Sequence, residues 1–114
     1  MAVLRVICCA GASKECVQQV QEKMKNFSWV TGNLTERVPY WKDESLEEIT
    51  FEIQCGTRKG KDCWENLFSA MFGGWISIPS RMALDMVHSC SIQEMEKNPK
   101  AFFAAMYVSE EEIL

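Results

Sequence analysis

The chain has one histidine, His88, and that scarcity removes most familiar chemistry. A Cys–His couple needs its two side chains within hydrogen-bond reach and a third group to orient the imidazole. Six cysteines are present, but none stands in a recognisable nucleophile motif. His88 lies in a mixed apolar segment, where a structural or surface role is expected. C-x-x-C and H-x-x-x-H are both missing. Only Cys8-Cys9 and His88-Ser89-Cys90 bring ligand types close, and without a second close pair a tetrahedral zinc site is not expected. No apolar run reaches the about 18 residues that suggest a transmembrane helix. The opening MAVLRVICCAG lacks the length and cleavage pattern of a signal peptide, so a cytoplasmic location is expected. Basic charge is also short: 12 Lys and Arg against 16 Asp and Glu give a net charge of −4 and a pI near 5.0. General nucleic-acid binders and binders of anionic membranes are usually basic, so neither partner is expected. Internal repeats, low-complexity segments and linkers are not visible.

What is present is a globular composition. Hydrophobic residues make up 47% and charged residues 25% of 114, enough to bury a core and too apolar for disorder. This is the size of a single domain, expected to span 1–114. The absence of a leader and the good core favour reduced thiols over three disulfides. Cys8, Cys9, Cys16 and Cys55 also fall within apolar patterns, where a free thiol acts as a small hydrophobe.

The best-organised stretch is Lys61 to Ile78, KDCWENLFSAMFGGWISI. Asp62 is placed to cap a helix, with Glu65 at capping-box spacing. Trp64, Leu67, Phe68, Met71 and Phe72 then follow the i, i+3, i+4, i+7, i+8 pattern of one helical face. Gly73-Gly74 should end the helix, and Trp75, Ile76 and Ile78 read as a short strand stopped by Pro79. Burying that face contributes on the order of 10 kcal/mol as an upper bound. A Phe68→Asp change is therefore expected to unfold the chain.

In order, Val3 to Ala10 reads as a buried strand, broken at Gly11. Ser13 can cap a helix running to about Asn26, with Cys16, Val17, Val20, Met24 and Phe27 inward. Trp29 to Tyr40 is less regular: Gly32-Asn33 suggests a turn or bulge, and Leu34 to Val38 a strand. Lys42 to Ser45 reads as a hairpin connection. Leu46 to Cys55 is the cleanest strand, with Ile49, Phe51, Ile53 and Cys55 alternating with Glu48, Thr50, Glu52 and Gln54. The order β-α-β-β-α-β is that of ferredoxin-like folds. From Ser80 the chain is ambiguous: residues 82–90 fit strand or helix, Ser91 to Asn98 a short helix, and Ala101 to Val108 a closing strand or helix. Ser109 to Glu112 should be an acidic, mobile end, within a tail of residues 109–114. The fold expected is α+β: a two-layer sandwich leaning to ferredoxin-like, with an antiparallel or mixed sheet of about 4–5 strands and helices on one face.

The loop GTRKGK, Gly56 to Lys61, runs into a helix N-terminus, but its spacing is not that of a P-loop, and Asp62 would compete for the same N–H groups. It reads as a solvated loop. Paired acids such as Glu47-Glu48 sit in predicted loops or on the wet side of a strand, where nothing raises a pKa for acid–base work. No catalytic residue, cofactor or metal is assigned. Interaction remains. Tyr40 and Trp41 stand beside Asp43, Glu44, Glu47 and Glu48, and interfaces use such aromatics as anchors while acidic rims steer a basic partner. The alternative is that the two rings cap the core and the acids keep the chain in solution.

In size, in pI and in the Tyr40 to Glu48 cluster, the chain resembles bacterial toxin-immunity proteins. The resemblance carries no family motif. It implies a small non-catalytic inhibitor that binds a basic toxin domain by covering its surface. The alternatives are a ferredoxin-like domain that binds a small molecule or regulates, and, last, an enzyme using a cysteine and His88.

Overall fold

The computed structural model describes residues 2–72, 75–79, 83–89 and 101–113. Strand β1 covers Ala2–Cys9 and passes through a 3-10 turn at Ala10–Ala12 into helix α1, Ser13–Met24. Strands β2 (Val30–Tyr40) and β3 (Asp43–Cys55) form a long hairpin. Helix α2 is Lys61–Met71, and strands β4 (Trp75–Pro79), β5 (Ala83–Ser89) and β6 (Ala101–Ser109) follow. All six strands join one sheet in the order β2-β3-β1-β6-β5-β4, with every neighbouring pair antiparallel.

This is the expected α+β two-layer arrangement. The block β2-β3-β1 with α1 is a split βαβ unit, because β3 lies between β1 and β2. After α2 the chain goes to the far edge and returns through β5 to β6 beside β1, and the sheet reaches six strands. Both ambiguous tail segments, 83–89 and 101–109, are strands. Their apolar residues fit either period, and pairing with β1 selects the extended form: Leu4 faces Met106, which in turn faces Met86. The short helix expected over Ser91 to Asn98 and the glycine stop at Gly73-Gly74 lie outside the described residues.

One sheet face carries the core. Leu4, Val6 and Cys8 of β1 are buried with Ile49, Phe51 and Ile53 of β3, and with Leu84, Met86, Met106 and Val108. Both helices press their apolar stripes into that cluster. Cys16, Val17, Val20 and Met24 come from α1, and Trp64, Leu67, Phe68 and Met71 from α2. Phe72 joins them, its ring 5.2 Å from that of Phe68. Trp64 is wholly buried, packs edge-on against Trp29 at 4.9 Å, and donates its indole N–H to the Glu112 carbonyl at 3.1 Å.

Several local details differ from the sequence expectations. Ser13 is the first helical residue of α1, because the 3-10 turn places Ala12 at the cap. Its hydroxyl donates back to the Ala10 carbonyl at 3.1 Å. Asp62 does not cap α2: Gly60 does, with no side-chain cap, and Asp62 sits in the first turn, where its charge suits the helix dipole. Gly32 is neither turn nor bulge but part of an unbroken β2, and a Cβ there would overlap the Met24 sulfur. The ladder irregularities fall instead between Leu34 and Glu36 and between Pro39 and Tyr40. The acidic end, expected to be mobile, forms a 3-10 turn at Glu110–Glu112. It is held by the Trp64 bond, by Lys59 N–H on the Glu112 carbonyl at 3.4 Å, and by a parallel bridge between Lys59 and Ile113. The GTRKGK loop is thus partly tied to this end, through Lys59.

Candidate functional site

The β2–β3 hairpin is longer than the strand it leans on. Pairing of β1 with β3 stops at Cys9 and Leu46, so Tyr40 to Ser45 extend past the end of β1. Tyr40 pairs with Asp43 across a two-residue turn, Trp41-Lys42. The strand therefore starts at Asp43, not after Ser45. A turn of two residues leaves no room to fold Trp41 inward, and its side chain is 80% exposed.

Sheet alternation sends the expected site residues to different places. Glu47 opposes Cys8 and lies on the helix-covered side. There it accepts a hydrogen bond from Arg37 Nε at 2.9 Å, while Arg37 Nη2 donates to the buried Ser13 hydroxyl at 2.6 Å. The Arg37 guanidinium first, and then the Ser13 hydroxyl, hold the Glu47 carboxyl below its ordinary range. Glu48 opposes Ile7 on the helix-free side and pairs with Arg5, whose Nε and Nη2 lie 3.1 and 2.5 Å from its Oε1. Two of the four acids are thus neutralised within the chain, on opposite faces.

Asp43 and Glu44 remain exposed at the tip. Asp43 Oδ1 accepts the Ser45 hydroxyl at 2.7 Å and the Ser45 N–H at 2.9 Å, and these bonds lower its pKa. The turn is thereby stiffened and its charge kept negative. Above it, the Lys42 ammonium lies 4.9 Å from the centre of the Trp41 ring. Tyr40 is half-buried, its ring 6.1 Å from Trp41.

Tyr40, Trp41 and Glu48 lie together, beside neighbours that the sequence reading did not include. With Arg5, Ile7, Phe103 and Ala105 they line a groove of about 360 Å³ on the helix-free face. Register explains the set: Ile7 opposes Glu48 on one side and Phe103 on the other, and Arg5 opposes Ala105. Expecting Val3 to Ala10 as a buried strand hid Arg5, the one exposed residue of β1, although Ile7 is buried as expected. The one signal was the arginine itself, at an alternate position in an apolar strand. Further along this face Tyr107 is 47% exposed, between Val3 and Asp85 in register.

Other candidates yield less. Cys8 and Cys16 are buried and share a thiol hydrogen bond, which lowers the Cys8 pKa and, with burial, raises that of Cys16. All cysteines among the described residues are unbridged. His88 lies on β5 opposite Ala104, but its side chain and all of Cys90 are outside the described residues. Among the described residues no group of three or more His, Cys, Asp and Glu side chains could hold a metal, and no helix is long and apolar enough to cross a membrane. A second cleft, of about 470 Å³, opens where α1 ends against β2, lined by Gln21, Met24, Lys25, Phe27 and Gly32 among others. Compared with known proteins, the chain matches no family model, no curated protein and no solved structure.

Proposed function

We propose that this chain is a small non-catalytic binding protein that docks a basic protein surface through its β2–β3 hairpin tip and the helix-free face beside it. The observation that carries this reading is Trp41, a large ring 80% exposed on a stiffened two-residue turn, over an aromatic groove. Exposing such a ring has a hydration cost that a partner removes, and rings of this type dominate binding energy at interfaces. Asp43 and Glu44 beside it are exposed and form no salt bridge among the described residues; they attract a basic surface over a Debye length of about 10 Å at 0.1 M salt. Within this class the role is that of a cytoplasmic immunity protein, which neutralises a basic toxin domain by covering its surface.

The test is co-expression with a toxin from the adjoining reading frame, paired with binding of the purified proteins over a salt series. Wild-type protein should protect cells and bind less tightly as salt rises. Trp41→Ala should lose about 2 kcal/mol of binding, or roughly thirtyfold, with its melting temperature unchanged. Binding indifferent to both Trp41 and salt would refute the proposal. A regulatory or small-molecule-binding domain is the second reading, favoured by the 470 Å³ cleft at the end of α1, a volume within the usual ligand range. A metabolite that raises the melting temperature of wild type and Trp41→Ala equally would support it.

A further inference from the structure

We infer that the groove beside Trp41 receives an arginine side chain of the partner, with Tyr40 and Trp41 as the stacking surface and Glu48 as the counter-charge. This rests on the docking role proposed for the hairpin tip and specifies what enters it. Besides its resident cation Arg5, the groove combines three kinds of surface within about 360 Å³. Tyr40, Trp41 and Phe103 supply ring faces and edges, Ile7 and Ala105 an apolar floor, and Glu48 a carboxylate. A guanidinium on a three-carbon stem matches all three: the stem lies on apolar surface, the planar head stacks on rings, and its N–H fork meets a carboxylate.

The chain already makes both halves of this contact with its own cations. Arg5 places a guanidinium on Glu48, and Lys42 places an ammonium over Trp41. Both Arg5 contacts fall on Oε1 of Glu48, so Arg5 leaves the second oxygen unused. A carboxylate has about four acceptor positions over its two oxygens, so one guanidinium does not saturate it. The Arg5 side chain is 62% exposed and can yield its place without leaving a buried charge. An ammonium is less suited, because it is strongly hydrated and cannot stack as a plane. Asp43 and Glu44 at the tip bias the approach toward a cation.

The experiment is a titration of the ¹⁵N-labelled whole chain with N-acetyl-arginine-N-methylamide, its lysine counterpart and the uncharged citrulline counterpart. The readouts are the Trp41 indole N–H, assigned with Trp41→Phe, and the amides of Ile7 and Phe103. The arginine probe should give saturable shifts at all three positions. The citrulline and lysine probes should bind about tenfold more weakly, and Glu48→Gln should weaken the arginine probe by a similar factor. Melting curves check that Glu48→Gln is folded, as its partly exposed position predicts. Equal response to arginine and citrulline, equal response to lysine, or shifts confined to other residues would each overturn the inference. Trp41-dependent capture of a partner by a chain whose indole ignores the arginine probe would remove the arginine and leave the docking surface. Loss of both would remove the docking surface as well.

Discussion

Trp64 offers the sharpest test of how the second layer is held. Its side chain is fully buried, packed edge-on against Trp29 at 4.9 Å, and bonded to the Glu112 carbonyl at 3.1 Å. Trp64→Phe keeps a ring but loses the N–H and part of the volume. The lost hydrogen bond costs about 1 kcal/mol, and the partial cavity adds about 1–2 kcal/mol. The Glu112 carbonyl is not orphaned, because Lys59 N–H still reaches it at 3.4 Å. The sum of about 2–3 kcal/mol should lower the melting temperature by roughly 10 °C at this chain length. A double-mutant cycle then isolates the seat of the tail, pairing Trp64→Phe with a chain that ends at Ser109. If the indole holds the tail, the two changes share one hydrogen bond, and their combined cost should fall short of the sum by about 1 kcal/mol. Urea denaturation of the four proteins at pH 7 measures this. Additivity within about 0.3 kcal/mol would refute the seating of Glu112 on α2.

Phe68→Asp should leave no cooperative melting transition by circular dichroism, since it puts a carboxylate into a wholly buried cluster; native-like melting would mean that α2 is dispensable. Asp43 and Glu47 both have lowered pKa values. Their stabilising contributions are complete above the ordinary values of 3.8 and 4.5 and fade as pH falls through the lower folded values. Unfolding free energy measured from pH 6 downward should therefore decline less steeply in Glu47→Gln, and an unchanged slope would contradict the Arg37 pairing. With a thiol reagent, half-buried Cys9, Cys55 and Cys63 should react in the native state, while Cys8 and Cys16 wait for unfolding. Mass spectrometry of labelled peptides reads this directly, and early labelling of Cys16 would show that α1 opens locally.

Legibility tracked periodicity. The stripe from Trp64 to Phe72 and the alternation from Ile49 to Cys55 were readable because each matches one structural period over several repeats, and both lie buried as expected except at half-buried Cys55. Capping was less legible. Ser13 and Asp62 have the right chemistry, but α1 starts one residue and α2 two residues before the expectation, because the preceding turn sets the first helical residue. The site was half legible. Tyr40 and Trp41 stand out as anchor-type rings next to a hairpin connection, yet a string of acids does not say which side each one takes.

By itself, then, the order of residues determined the two helical stripes, the clean alternation of β3 and an acidic surface free of familiar catalytic motifs, since these depend on spacing and side-chain type alone. Only the folded sheet decided that 83–89 and 101–109 are extended, that Glu47 and Glu48 part to opposite faces against Arg37 and Arg5, and that Ile7 and Phe103 close a groove with Trp41. The reason is that pairing register is a long-range property: it joins residues as far apart as Ile7 and Phe103, and nothing local to either records the partner.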